Sequence, residues 1–328
     1  MSTVPTDLRP LDEQGFGARV EPHRRELHVH CYRLLGSFDE AEDLVQEAFL
    51  RAWRRRETYA GRASLRAWLY RIATNACLDA LDKRPRRPSA SGEVAWLQPY
   101  PDDLLEQLPD GREGPEDVAL ANETVELAFI AAIQHLAPLP RAVLVLRDVL
   151  GCSAKETAAL LETTEASVNS ALQRARAGLR DHLPADREAW HRGAEPTAAE
   201  RELLARYVDC GERADAEGLP ALMHEDVRFS MPPTPRVWPG RATVVQGWVD
   251  GGFGSETFGS LRSVVTRANG QPAVACYVRR PGDAAYAPLA IDVLRVRDGL
   301  VTEIVTFGSA VFEHFDLPAT LSTAGGPS

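Results

Sequence analysis

The sequence predicts a chain of several domains: two all-α modules, the second built on a helix-turn-helix, followed by an α+β domain. Three observations predict it. Apolar residues recur in steps of three and four through the first half of the chain, and from Val227 onward the period shortens to strand-like alternation. Segments rich in proline or polar residues separate these runs, between Arg84 and Pro115 and between Leu183 and Pro196. The length, 328 residues, leaves room for two or three ordinary cores. The expected divisions are a first module over 1–87, an acidic linker over 88–115, a second module over 116–183, a linker over 184–198, the α+β domain over 199–318 and a tail over 319–328.

The first module is organised around two helices. Ala41, Leu44, Val45, Ala48, Phe49, Ala52 and Trp53 form one apolar stripe, and Asp39, Asp43, Gln46, Glu47 and Leu50 form the opposite face. That face is acidic at its start and turns basic at Arg51, Arg54, Arg55 and Arg56, a gradient that suits the helix dipole and that a solvated face also produces. Ser64 is placed to cap a second helix with Leu65, Trp68, Leu69, Ile72, Ala73 and Ala76 on its buried side. Its other side carries Arg66, Tyr70, Arg71, Thr74 and Asn75. Between Arg51 and Arg87 stand eleven Lys or Arg against three acids, in a chain whose net charge is −10. Cations interleaved with Tyr59, Trp68 and Tyr70 suit a single nucleic-acid strand, because cations track phosphates while rings stack on bases. Upstream, the pattern Phe16, Val20, Leu27, Val29, Tyr32, Leu34, Leu35 predicts a scaffold helix interrupted near Pro22.

The run from His30 to Trp53, with Phe38-Asp-Glu-Ala-Glu-Asp-Leu-Val-Gln-Glu-Ala-Phe-Leu-Arg-Ala-Trp at its centre, is followed by Ser64-Leu-Arg-Ala-Trp-Leu-Tyr-Arg-Ile-Ala-Thr-Asn-Ala-Cys-Leu-Asp. Together they closely resemble region 2 of the extracytoplasmic-function (ECF) sigma factors of bacterial RNA polymerase. The resemblance implies that Asp39, Asp43, Gln46, Glu47 and Leu50 face the clamp helices of the polymerase β′ subunit. It also implies that Tyr59, Arg62, Arg66, Trp68, Arg71 and Asn75 lie at or near the minus-ten promoter strand, with Trp68 readable equally as core.

The segment from Arg84 to Pro115 reads as a linker, inert or functional. By the same resemblance, such a connector threads a basic polymerase channel that later receives RNA, which its acidic residues would suit. Helices then resume, with Val118, Leu120, Val125, Leu127, Phe129, Ile133 and Leu136 as expected core. Pro138-Leu-Pro-Arg starts a helix that Gly151 stops, Ser153 caps the next, and a third begins near Glu165. On that third helix Val168, Leu172, Ala175 and Leu179 are expected to bury. Ser167, Ser170, Gln173, Arg174 and Ala177 point outward with Asn169 and Arg176 at the flanks, side chains able to reach base edges and phosphates. The runs Leu139–Leu161 and Ser167–Arg176 resemble region 4 of the same sigma factors. The resemblance implies that this helix reads the minus-thirty-five element and that the module contacts the polymerase β flap.

In the last domain, Leu203, Leu204, Tyr207, Val208 and Cys210 lie near the apolar side of a helix, a short helix follows over 219–224, and five strand-like runs come after it. Arg297-Asp-Gly-Leu signals a hairpin turn. Helices first and then a curved antiparallel sheet, with His224-Glu-Asp-Val-Arg-Phe and Asp298-Gly-Leu-Val-Thr-Glu-Ile, resemble the SnoaL-like, cone-shaped fold related to nuclear transport factor 2. The resemblance implies an α+β domain that regulates the two sigma modules, in a fold whose relatives include cyclases and isomerases. Acid or base candidates are His224, Asp226, Asp292, Glu303 and His314, none forming a dyad by spacing. Asp292, between Ile291 and Val293, reads more readily as a solvated residue than as a cavity residue. Met231, Trp238, Trp248 and Phe253 read as core or as pocket wall, and Trp248-Val-Asp-Gly-Gly-Phe-Gly as a flexible lid or contact loop.

An acidic chain does not coat DNA indiscriminately, so promoter DNA contact is expected to be local and to depend on core RNA polymerase. No apolar run of about 18 residues exists, so a soluble, cytoplasmic protein with no membrane partner is expected. Five separated cysteines suggest reduced thiols. His28, His30 and Cys31 lack a second ligand cluster, so no metal is expected. No cofactor and no catalytic residue are expected, and a small ligand in the last domain stays open. The alternative reading is a ligand-responsive regulator or enzyme whose chemistry lies in that domain.

Overall fold

The computed structural model describes residues 15–59, 64–84, 94–106, 126–183 and 197–322. They fall into two compact units.

In the first unit, α1 (Phe16–Val20) passes through a 3-10 turn at Glu21–His23 into α2 (Arg24–Leu35). Gly36, at φ 72°, ends α2 in the left-handed conformation that a side chain would resist. The next residue, Ser37, caps α3 (Phe38–Arg54), its Oγ accepting the Glu40 N–H at 3.3 Å. Ser64 does the same for α4 (Leu65–Lys83), accepting from the Ala67 N–H at 3.1 Å. These helices close over Tyr32, Leu34, Leu35, Ala41, Val45 and Leu69, all fully buried.

The second module follows α5 (Asp102–Glu106) and consists of α6 (Leu127–Gln134), α7 (Pro138–Leu144) with a π-helical extension over Val145–Val149, α8 (Ala154–Leu160) and α9 (Glu165–His182). A reciprocal box between Ser153 and Glu156 starts α8, and Thr164 caps α9. The expected core residues Leu127, Phe129, Ile133 and Leu136 are buried, whereas Val118, Leu120 and Val125 lie outside the described residues. Arg141 joins the modules. Its guanidinium donates to the Leu34 carbonyl at 2.6 Å, to Gln134 Oε1 and the Gln134 carbonyl at 2.7 Å each, and to the Leu136 carbonyl at 2.9 Å. Burial pulls its pKa down to about 9, because carbonyl dipoles replace water only in part.

The second unit holds α10 (Ala198–Glu212), a 3-10 turn at Leu219–Leu222, β1 (Met223–Met231), β2 (Thr234–Pro239), α11 (Arg241–Asp250), β3 (Ser260–Ala268), β4 (Gln271–Arg279), β5 (Ala287–Arg297), β6 (Leu300–Gly308) and a closing 3-10 turn at Ser309–His314. The sheet order is β2-β1-β6-β5-β4-β3. It is mixed where an antiparallel sheet was expected. After the β1–β2 hairpin, α11 carries the chain to the far edge, the meander β3 to β6 returns, and β6 meets β1 in parallel. Two tight turns bend the meander: Asn269-Gly270 at φ 57° and 71°, and the expected Asp298-Gly299 at φ 48° and 74°. Trp248 to Asp250 are helical, so the expected flexible stretch starts only at Gly251.

The acidic linker is not a free tether. Val94, Leu97 and Tyr100 are buried, and residues 94–103 belong to the second unit. The Tyr100 N–H donates to Asn269 Oδ1 at 2.7 Å, and the Asn269 N–H returns a bond to the Tyr100 carbonyl at 2.8 Å. One residue on, Pro101 bridges Ala268, and Asp102 accepts from Arg267 Nε at 3.0 Å and from the Gly270 N–H at 2.8 Å. Proline spacing and acidity described this segment's composition; they did not show that its apolar residues would find the open edge of β3.

Candidate functional site

The acidic face of α3 is intact in three dimensions. Asp39, Asp43, Gln46 and Leu50 are exposed and Glu47 is half-buried, along one side of a helix whose Ala41, Val45, Ala48 and Ala52 are fully buried. Leu50 is 51% exposed, a large apolar side chain at the C-terminal end of that face, where the helix turns basic. At its basic end, Arg51 is held by Glu47 at 2.8 Å and Asp79 at 2.7 Å.

The expected strand-binding residues divide. Arg66 is exposed, paired with Glu26 at 2.6 Å and lying 4.8 Å from the Tyr70 ring centroid. Arg71 and Asn75 are half-exposed on the same helix, with Arg71 Nη1 3.9 Å from Glu162 of the helix-turn-helix. Arg62 lies outside the described residues. Tyr59 and Trp68 stand apart from these. Both are buried, at 7% and 6% exposure, with ring centroids 5.2 Å apart, so neither offers a face to a base in this conformation. The physical reason is their packing against one another, which removes apolar ring surface from water.

On α9 the outward set is well separated from the buried one. Asn169, Ser170, Gln173, Arg174 and Arg176 are exposed and Ser167 is half-exposed, while Val168, Ala171, Leu172, Ala175 and Leu179 are buried. Arg176 is held by both oxygens of Asp148, at 2.9 and 2.7 Å, which braces α9 against the end of the α7 segment. Gln173, Arg174 and Ser170 therefore form the central strip of the face, and Arg176 its anchored flank.

The second unit holds a cavity of about 390 Å³ that is partly open to solvent, within the range of small-molecule sites. Tyr207 of α10, Phe229 of β1, Trp238 of β2, Trp248 of α11 and Phe253 line it. Phe229 packs on Trp238 and Trp248 at centroid distances of 5.2 and 5.6 Å. Met231, Trp238, Trp248 and Phe253, read from the sequence as pocket or core, are all wall residues.

Asp292 also lines the cavity, which is a correction to the solvated reading. It is 9% exposed, because β5 is a central strand covered on both faces and alternation there separates two buried sides. Thr306 stands directly opposite on β6, and its hydroxyl donates to Asp292 Oδ1 at 2.5 Å; the Tyr207 hydroxyl donates to Oδ2 at 3.1 Å. Burial pushes the Asp292 carboxyl above the usual carboxylate range, and these two bonds oppose that rise. Tyr207 and Cys276 are pushed up by the same burial and by the nearby carboxylate. Tyr207 and Thr306 were missed as site residues, since nothing in their local pattern points at Asp292. Of the other acid or base candidates, Glu303 pairs with Arg295 at 3.2 Å and His224 accepts from the Asp226 N–H; neither they nor His314 line the cavity. His30, set aside as a metal ligand, bonds Thr74 at 2.8 Å.

Residues 19–87 match the family model for Sigma-70 region 2, residues 126–179 that for Sigma-70, region 4, and residues 204–304 that for the SnoaL-like domain. The chain is 40% identical over 331 residues to the ECF RNA polymerase sigma factor SigG of Mycobacterium tuberculosis, covering 95% of this chain and 87% of that protein. It is 30% identical over 172 residues to ECF sigma factor SigW of Bacillus subtilis, covering 52% of this chain and 90% of that one. The crystal structure of the M. tuberculosis sigma factor SigJ shares the fold, with a TM-score of 0.58 at 22% identity over 92% of this chain and 99% of that chain.

Proposed function

The chain belongs to the extracytoplasmic-function sigma factors of RNA polymerase, and on that premise we propose how its surfaces divide the work. It binds core polymerase and directs promoter recognition, melting and initiation. The acidic face of α3, with Leu50 at its C-terminal end, docks on the β′ clamp helices in the cytoplasm, where carboxylates give orientation and an apolar contact adds affinity. Arg66, Arg71, Asn75 and the cationic loop before them meet the minus-ten strand. Ser170, Gln173 and Arg174 of α9 read the minus-thirty-five element, and the module around them rests on the β flap.

The SnoaL-like domain modulates this activity through the connector. One observation supports that: the residues joining the two promoter-binding modules in sequence are held on the edge of β3 by the Tyr100–Asn269 pair and by Asp102 with Arg267. A connector so held is not available to thread a polymerase channel, so its release is the regulated step.

Transcription in vitro with core polymerase tests the reading, comparing the full chain with a truncation ending at Arg187 on promoter fragments selected from genomic DNA. Promoter-specific transcripts from the full chain, changed in amount by truncation, are expected. A well-folded chain that yields none in either form would sink it.

A further inference from the structure

The polar cluster around Asp292 has a countable supply of protons. Tyr207 carries one hydroxyl hydrogen, spent on Asp292 Oδ2, and Thr306 carries one, spent on Oδ1. With Asp292 ionised, what this cluster turns toward the cavity is lone pairs, on the carboxylate and on both hydroxyl oxygens. Cys276 Sγ, 4.0 Å from Oδ2, adds only a weak donor. The described residues lining the cavity include no Lys, Arg or His, so Asp292 meets no counter-ion there. The other hydroxyl on the wall, Ser263 Oγ, donates to Cys276 Sγ at 4.0 Å, and the remaining wall is apolar, with rings from Phe229, Trp238, Trp248, Phe253 and Phe258.

A ligand ending in a carbonyl or a carboxylate would set acceptor against acceptor at this cluster. One ending in a positive donor would supply both the missing hydrogen bonds and the missing charge, while aromatic walls tolerate a nearby cation. We propose that the cavity binds a small organic cation, a protonated amine at Asp292 carried on an apolar, ring-sized body. The ionised carboxylate is costly in an empty apolar cavity, and the ammonium group is what offsets that cost. This names a ligand class for the regulatory domain, but binding itself does not depend on the sigma reading and is measured without polymerase.

The test is calorimetric titration of the full chain with three probes of one shape: naphthylethylamine, naphthylethanol and naphthylacetate. The amine is expected to bind at one site, about tenfold or more tighter than the alcohol, with no binding of the acetate. Asp292→Asn is expected to bring amine and alcohol to equal affinity, and Ala290→Phe, which fills the cavity, to remove both. Alcohol or acetate binding as tightly as the amine in the unaltered chain would overturn the proposal. So would an amine preference that survives Asp292→Asn, or no saturable binding of the amine. Should Asp292→Asn fail to fold, the ranking of the three probes on the unaltered chain decides alone.

Discussion

Tyr100 and Asn269 exchange backbone-anchored hydrogen bonds of 2.7 and 2.8 Å, although 169 positions separate them, and both are fully buried. Asn269 can do this because it sits at φ 57° in a two-residue turn, a conformation Asn and Gly tolerate. The pair carries the first prediction. Asn269→Gly keeps the turn but deletes the acceptor of the Tyr100 N–H, a loss of about 1–3 kcal/mol for a buried donor left unpaired. Hydrogen exchange at the Tyr100 amide should speed up about tenfold or more, with transcription output shifting as in the Arg187 truncation. Unchanged exchange would show that the connector is held by other contacts.

Leu50 is 51% exposed and lies outside the buried core of its unit. Leu50→Asp should therefore leave the melting temperature within about a degree or two while weakening core polymerase binding roughly tenfold or more. Competition against unaltered protein for core polymerase reads the effect. Equal affinity would move the docking face elsewhere.

Arg174 is exposed on the central strip of α9. If it contacts a base, Arg174→Ala should cost about 1–3 kcal/mol of promoter discrimination, seen as lower transcription from the cognate promoter and relaxed preference at one position of the upstream element. If it meets only phosphate, all sequences should weaken alike and the salt dependence should fall by about one unit of slope. Arg176, already bound to Asp148, should show the smaller effect on sequence preference.

Arg141 satisfies four acceptors at once where the two helical modules meet. Arg141→Met leaves them buried without donors, at a cost of about 3 kcal/mol or more. Amide protection at the end of α2 and in α7 should fall, while the β4–β5 ladder of the other unit should not change. Protection lost equally across both units would argue against a local joint.

His30 is buried, bonded to Thr74, and its pKa is lowered to about 3, chiefly by burial and next by Arg33. The sign follows from linkage. Between the unfolded value near 6.5 and the folded value near 3, only the unfolded chain takes up this proton. Stability of the first unit is therefore present above about pH 6.5 and declines as pH falls, by up to about 1.4 kcal/mol per pH unit from this group. His30→Asn lowers stability at neutral pH but should flatten that slope; an unchanged slope would assign it to other groups.

The amino-acid order alone determined several features, each of which depends on neighbours within about one helical turn. The stripes of α3 and α9, the caps at Ser64 and Ser153, and the Asp298-Gly299 turn are local, because 3.6-residue periodicity and cap chemistry are set by residues a few positions apart. So the acidic face and the outward strip of α9 were legible, and with them the two modules. Asn269-Gly270 carried an equally local hairpin signal that went unread.

Only the tertiary structure decided which distant groups meet. Tyr207, Asp292 and Thr306 come together from α10, β5 and β6, and no spacing along the chain encodes that. In the covered strand β5, alternation could not tell cavity from outside, since Ile291, Asp292 and Val293 are all buried. The same holds for Tyr59 against Trp68, for Tyr100 against Asn269, and for the parallel pairing of β1 with β6. Each is a long-range contact chosen by the burial of apolar surface and the pairing of buried polar groups, and those quantities exist only once the chain has closed on itself.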